Sequence, residues 1–139
     1  MSTPDITVIV ADDHELVRDG IAALLSAEPD IEVVGTAADG VEAIGLVQSL
    51  LPTVVLMDIQ MPDMDGMTAT SRIRQRERET GRARVPIVAL TANAMAHHIE
   101  QYLAAGMDTH VSKPIQAMVL FQALVDVTRE SAADQAKVA

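Results

Sequence analysis

The chain has no cysteine and no tryptophan, and its aromatic residues are Tyr102 and Phe121 alone. Without cysteine it can form no disulfide, no thiolate zinc site and no thiol nucleophile. With so few rings, the core must be built from Val, Ile, Leu, Met and Ala, a composition suited to buried parallel strands covered by helices. Bases are scarce where acids gather. Residues 1–66 hold 13 acids against Arg18, and residues 67–139 hold 9 bases against 7 acids. A formal net charge of −10 makes the chain a poor candidate for gripping a phosphate backbone. An acidic cluster attracts instead a divalent cation or a basic partner. No apolar run approaches the roughly 20 residues of a membrane helix. The opening MSTPDITVIVADD has no basic segment ahead of its short apolar run, which ends on acids, so it reads as a strand and not as a signal peptide. A cytoplasmic protein with no membrane partner is expected.

What the chain does have is alternation. Its 139 residues suit one domain, expected over residues 1–130, with SAADQAKVA at 131–139 as a frayed tail. Five apolar runs, at 6–11, 31–35, 54–57, 87–90 and weakly 110–111, are bounded by turn or charged residues, as buried strands are. Helical spacing fills the gaps: Val17, Ile21, Leu24 and Leu25 with Leu16 at the edge, then Val41, Ile44, Val47 and Leu51. Later come Ile99 and Leu103 ahead of Gly106, and Val119 or Leu120 with Phe121, Leu124, Val125 and Thr128. The helix after Gly66 has only Met67 and Ile73 as large apolar residues. Its arginines, in RIRQRERETGRAR, point several ways around a helix and are interrupted by Glu77 and Glu79. With no aromatic ring to stack on a base, they read as a solvated face, and nucleic acid is not expected as a partner. The alternation predicts an α/β fold, a doubly wound five-stranded parallel sheet with helices on both faces.

Open sheets of this kind hold ligands outside the carboxyl ends of their strands. There the sequence places Asp12-Asp13 after the first run, Asp58 after the third, Thr91 after the fourth and Lys113-Pro114 after the fifth. Each has a plain explanation taken singly. Asp12 or Asp13 could cap the next helix with Glu15, Thr91 could cap another, Lys113 could be solvated, and Asp58 could form a turn. Their joint position is harder to dismiss, since neighbouring first and third strands would bring three carboxylates together beside Thr91 and Lys113. Two like charges about 5 Å apart repel by roughly 3 kcal/mol at an effective dielectric near 20. A divalent cation offsets that excess, and hard oxygen ligands with room for water suit Mg²⁺. An aspartate so balanced is a candidate nucleophile toward phosphorus, with Lys113 and Thr91 placed to steady the phosphoryl oxygens.

The motifs VIVADDHELVR, VVLMDIQMPDMDG, IVALTANA and HVSKPI resemble those of response-regulator receiver domains, the phospho-accepting modules of two-component signalling, over residues 6–130. The resemblance implies the flavodoxin-like strand order 2-1-3-4-5. It implies that Asp58 accepts a phosphoryl group from a phosphohistidine on a histidine kinase or histidine phosphotransfer protein. It also implies Mg²⁺ held by Asp13, Asp58 and the Gln60 carbonyl, with Asp12 reaching it through water. Thr91 and Lys113 would contact the phosphoryl oxygens, with Pro114 shaping the loop. Such a module catalyses its own phosphorylation and dephosphorylation without being a classical turnover enzyme. His110 stands where many receivers carry Tyr or Phe as a switch paired with the Thr, so the resemblance implies a switch at Thr91 and His110, either by the same swap or in a weaker or differently built form. Gln60 and Asn93 hold positions that tune phosphoryl lifetime, and neither is charged. Partner contact is expected at Leu16, Val17, Pro114 and Ile115.

Alternatives differ in what they require. A phosphorylation-independent interaction module on this fold would be expected to lack an acid, the Thr or the Lys, and all are here. An aspartate-nucleophile phosphatase usually has a second acid where Gln60 stands, and a flavin protein would have a neutral phosphate cradle after the first strand. His97 and His98 are adjacent and so diverge on a helix, unlike a metal pair. His14 reads as an exposed loop residue. The short stretch after the fifth helix leaves no room for an output domain, so the expectation is action by protein binding, phosphate relay, or membership in something larger.

Overall fold

Five strands alternate with five helices in the computed structural model, which describes residues 6–92 and 95–138. They are β1 (Ile6–Ala11), α1 (Glu15–Ser26), β2 (Ile31–Ala37), α2 (Gly40–Leu50) and β3 (Val54–Asp58). There follow α3 (Gly66–Thr80), β4 (Ile87–Thr91), α4 (Ala96–Ala104), β5 (Thr109–Ser112) and α5 (Ala117–Val138). The sheet is parallel throughout, in the order β2-β1-β3-β4-β5. Every residue of β3 and β4 is buried, as central strands covered on both faces must be. Alternate residues supply the two cores. Ile9, Val55, Met57, Ile87 and Ala89 pack with α2, α3 and α4, while Val8, Val10, Leu56, Val88 and Leu90 pack with α1 and α5. Among the described residues no helix is long and apolar enough to cross a membrane.

The strands match their predicted runs to within one or two residues, but several helix faces are rotated from the expected ones. On α2, Val47 is buried as expected and Ile44 is half-buried, but Val41 is exposed, as is Leu51 just past the helix, and Gly40 and Ala43 are buried beside Val47. The cause is a close approach. A Cβ on Gly40 would lie 2.6 Å from the Met64 carbonyl oxygen and 3.0 Å from Ala69, so small residues, not large ones, set the contact. On α4, Leu103 is exposed and Tyr102 is buried. On α5, Leu120, Leu124 and Val127 face the core, and Val119 is exposed. The α5 backbone continues through 131–138, where the sequence suggests a frayed tail. Fraying is a matter of helix-end opening, and the boundary at 130 stands as a proposal.

The arginine run is not wholly solvated. Arg74 is 5% exposed, and its guanidinium has found partners in two loops. It donates to the carbonyls of Gly106 at 2.9 Å and Val85 at 2.7 Å, and it pairs with Glu77 at 2.9 Å and Asp108 at 3.0 Å. Asp108 in turn accepts the Ile87 N–H at 2.8 Å, and Glu77 accepts the Val85 N–H at 2.7 Å. A planar five-donor fork suits such a set of acceptors. Gly106, at φ +108°, leaves room for the stem, since a Cβ there would sit 2.8 Å from Arg74 Cγ. Removing one partner of a buried ion pair strands the others. Arg74→Ala should therefore cost about 3–5 kcal/mol in urea unfolding, whereas exposed Arg72→Ala should change stability by less than about 0.5 kcal/mol.

Candidate functional site

Pairing of β1 with β3 sets Ala11 beside Met57, so the chain leaves both strands with a carboxylate at the same edge. Asp12 is fully buried and Asp58, the last residue of β3, is 4% exposed, while Asp13 is exposed. Lys113 Nζ reaches across from beyond β5, 3.0 Å from Asp12 Oδ2 and 3.4 Å from Asp58 Oδ1. It is not a solvated loop residue. Nor do the acids cap α1. The N-cap there is His14, with no side-chain cap bond, and Asp12 Oδ1 instead accepts the His14 N–H at 2.9 Å. Arg18, one turn into α1, donates to the Asp12 carbonyl at 2.9 Å and fixes this corner from behind.

The turn after β3 is built around the Asp58 backbone. A Cβ on Gly66 would collide with the Asp58 carbonyl oxygen, so only glycine permits α3 to start there. Asp65 caps α3 by accepting the Thr68 N–H at 2.7 Å. Gln60 is exposed, and its N–H points to Asp58 Oδ1 at 3.4 Å. Thr91 ends β4 almost fully buried, its hydroxyl 2.9 Å from that of Tyr102, and its carbonyl accepts the Lys113 N–H at 2.8 Å. The N-cap of α4 is Met95, so Thr91 is not a helix cap. A cleft of about 790 Å³ opens over this corner, lined by Asp13, His14, Asp58, Thr91, Tyr102 and Lys113 among others.

Asp58 is under electrostatic pressure. Burial and then the neighbouring Asp12 charge raise its pKa from 3.8 to about 6, against the opposing pull of Lys113 and the Gln60 N–H. Burial alone would lower the Lys113 ammonium, but the carboxylates of Asp12 and Asp58 outweigh it and hold it above its ordinary value. One lysine does not balance the acids. Asp12 Oδ2 is enclosed and, although ion-paired with Lys113, accepts no well-directed hydrogen bond. Ligand atoms of Asp12, Asp13, His14 and Asp58 all lie within 4.8 Å of one another. Buried carboxylates that share a single ammonium within an oxygen-rich group are what a hard divalent cation fits.

The structure thus brings together Asp12, Asp13, Asp58, Gln60, Thr91 and Lys113. It leaves His110 apart, half-buried in a hollow of about 270 Å³ with Ser112, Gln116 and Val119. Asn93 lies outside the described residues. Leu16 is 88% exposed and Val17 half-buried at the head of α1. Pro114, after a cis peptide bond, is exposed, and Ile115 is half-buried. Tyr102 was not among the sequence-predicted site residues. Its signal was its place three residues after Ile99, on the same helical face.

Comparison with known proteins agrees with this geometry. The family model for the response regulator receiver domain matches residues 8–125. Response regulator protein VraR of Staphylococcus aureus is 37% identical over 124 residues, covering 89% of this chain and 57% of that protein. The chain therefore spans little more than half the length of this relative. The signal receiver domain of the response regulator NarL from Mycobacterium tuberculosis superposes with a TM-score of 0.83 at 29% identity, covering 91% of this chain and 98% of that one. The receiver domain of Saccharomyces cerevisiae Ssk1, solved with the phosphotransfer protein Ypd1, shares the fold at a TM-score of 0.83 and 24% identity, with 92% of each chain covered. Relatives longer than this chain leave the expected exclusion of nucleic acid without support for any larger protein built on such a domain.

The raised pKa has a sign that can be measured. Between pH 3.8 and about 6 the folded state keeps a proton on Asp58 that the unfolded chain has lost. The folded state binds more protons in that window, so stability falls as pH rises through it. In chelator, Asp58→Asn should match wild type near pH 4 and become more stable than wild type as pH approaches 6, by on the order of 3 kcal/mol. Parallel stability curves for the two proteins would contradict the buried-charge account.

Proposed function

The chain belongs to the response regulator receiver domain family, and from that premise we propose that Asp58 is its phosphoryl acceptor. A receiver is a phospho-accepting module of two-component signalling, and the donor proposed here is a phosphohistidine on a kinase or phosphotransfer protein in the cytoplasm. The observation that carries the assignment is the position of Asp58. It ends a fully buried strand, opens on the cleft, and has Lys113 Nζ 3.4 Å from Oδ1. In the transfer an Asp58 oxygen forms the new P–O bond, the donor P–N bond breaks, and the departing imidazole takes up a proton.

Each neighbour has a part in this reading. The rigid strand holds the nucleophile in place, so that little orientational freedom is lost on reaction. Lys113 meets negative charge on the phosphoryl oxygens, and the Thr91 hydroxyl is available to one of them. Asp12, Asp13, Asp58 and the Gln60 carbonyl are the groups we assign to Mg²⁺, which when bound would offset carboxylate and phosphoryl charge together. Head-of-α1 residues Leu16 and Val17, with Pro114 and Ile115 across the cleft, are the proposed partner contact.

We assign the switch to Thr91 with His110, and to these we add Tyr102. The Thr91–Tyr102 hydroxyl contact of 2.9 Å ties the end of β4 to α4, so displacement of Thr91 bears directly on that helix.

Intact mass tests the assignment. Incubation with Mg²⁺ and a small acyl phosphate should add one phosphoryl group to wild type, none to Asp58→Ala, and none with chelator. Failure of wild type to take phosphate or a Mg²⁺-dependent beryllofluoride adduct would favour a phosphorylation-independent interaction module.

Tyr102 supplies a second test, because it is the one tyrosine in a chain without tryptophan. Its emission should change when beryllofluoride and Mg²⁺ are added to wild type and should not change in Thr91→Val. An unchanged wild-type emission would disconnect Thr91 from α4.

A further inference from the structure

We propose that His14 is a ligand of the divalent-cation site and makes that site bind a borderline cation such as Zn²⁺ more tightly than Mg²⁺. The inference rests on reading the acidic corner as a cation site, and it adds a nitrogen to an otherwise all-oxygen donor set. His14 Nδ1 lies 3.2 Å from Asp13 Oδ1 and 3.4 Å from Asp12 Oδ1. Donors bound at about 2.1 Å stand roughly 3 Å apart at neighbouring corners of the octahedron that Mg²⁺ takes and roughly 3.4 Å apart in the tetrahedron that Zn²⁺ takes. The two nitrogen–oxygen distances fit neighbouring corners. The full spread of 4.8 Å for Asp12, Asp13, His14 and Asp58 needs a contraction of about 1.4 Å for all four to close on a tetrahedral ion, less if water takes the place of one of them.

Two further observations favour a ligand. Asp12 Oδ2 is buried at the same corner, and the ammonium it meets, Lys113 Nζ at 3.0 Å, is shared with Asp58, so the acids there outnumber the cation that pairs with them. The His14 side chain is 67% exposed, and its ring is not held in place by the core. Its Nδ1 faces the Asp12 and Asp13 carboxylates. The backbone fixes its root, because the His14 N–H is bonded to Asp12 Oδ1 and its carbonyl accepts the Arg18 N–H. Imidazole is a good donor to Zn²⁺ and a poor one to Mg²⁺, which prefers carboxylate and water oxygens. His14 therefore discriminates between cations without being needed for Mg²⁺.

The test is calorimetric titration of the untagged full chain with Zn²⁺ and, separately, with Mg²⁺, for wild type, His14→Ala and Asp12→Asn. Zn²⁺ should bind wild type more tightly than Mg²⁺ does. His14→Ala should weaken Zn²⁺ by about tenfold or more and leave Mg²⁺ within about twofold. Asp12→Asn should weaken both, which places the zinc at this corner and not at His97 or His98. Pulsed electron paramagnetic resonance of the Mn²⁺-loaded chain gives an independent readout, with imidazole nitrogen coupling expected in wild type and absent in His14→Ala. Equal Zn²⁺ affinity in wild type and His14→Ala would overturn the proposal. So would tighter binding of both cations to His14→Ala, since His14 would then be a competing partner of the carboxylates. Loss of Mg²⁺ binding in wild type with His14-dependent Zn²⁺ binding intact would overturn the Mg²⁺ assignment and leave this one standing.

Discussion

Two carboxylates and one ammonium, held at the edge of an apolar sheet, impose the central constraint on this molecule. Asp12 and Asp58 are nearly sealed from solvent, and a buried charge must be paired or protonated. Lys113 pairs with both, yet burial first, and then the Asp12 charge, still hold the Asp58 pKa above its ordinary value. Such an arrangement persists only because the surrounding structure over-determines it. The β1–β3 register fixes where each acid emerges. The absent side chain of Gly66 lets α3 press on the Asp58 carbonyl. Arg18 holds the Asp12 backbone from the helix behind. The apolar strands are thus not simply a core. Their stiffness maintains a local charge excess that a softer scaffold would relax.

A second buried charge, at the opposite end of the strands, shows what a finished network looks like. Arg74 has two carbonyls and two carboxylates, and those carboxylates accept backbone N–H groups in their turn. Nothing in that cluster awaits a ligand, and its effect is to tie the loops before β4 and β5 to α3. The corner at Asp12 has a similar density of charge, but there one ammonium is shared between two buried carboxylates. The cluster at Arg74 is balanced within itself, whereas the corner at Asp12 has room for a further cation. Sequence position does not make that distinction, for both contain charged residues flanked by aliphatic strands.

The sheet and its chemical edge were legible because both depend on short-range patterns. An aliphatic run bounded by turn residues marks a buried strand almost wherever it pairs, and residues at its carboxyl end share one edge once the strands are parallel. The helix faces were less legible. Val41 and Leu51 carry the expected spacing, but the orientation of α2 is decided by how near Gly40 and Ala43 let it come to α3. Apolar size is a poor guide where contact is limited by backbone distance. Arg74 was hidden for a related reason, because its neighbours Val85, Gly106 and Asp108 are brought to it by loops that no periodicity describes. Tyr102 could be placed on a helix from sequence, while its meeting with Thr91 depends on how α4 settles against β4.

The uneven charge along the chain acquires a meaning in three dimensions. The acid-rich first half contributes the carboxylates of the site, and the more basic second half contributes Lys113 to the same corner and Arg74 to the other end. Net charge therefore says little about this molecule, whereas the sign of each strand end says a great deal. Because Thr91 and Lys113 leave adjacent strands, joined by the Lys113 N–H to the Thr91 carbonyl, any group that engages one is felt by the other through backbone. The same Thr91 touches Tyr102 on α4. A charge that arrives at Asp58 thus meets the loop ahead of α5 directly through Lys113, and the helix α4 two contacts further on, through Thr91 and Tyr102. That connectivity, more than any single side chain, is the route by which the proposed switch would carry a chemical event at a strand end to the molecular surface.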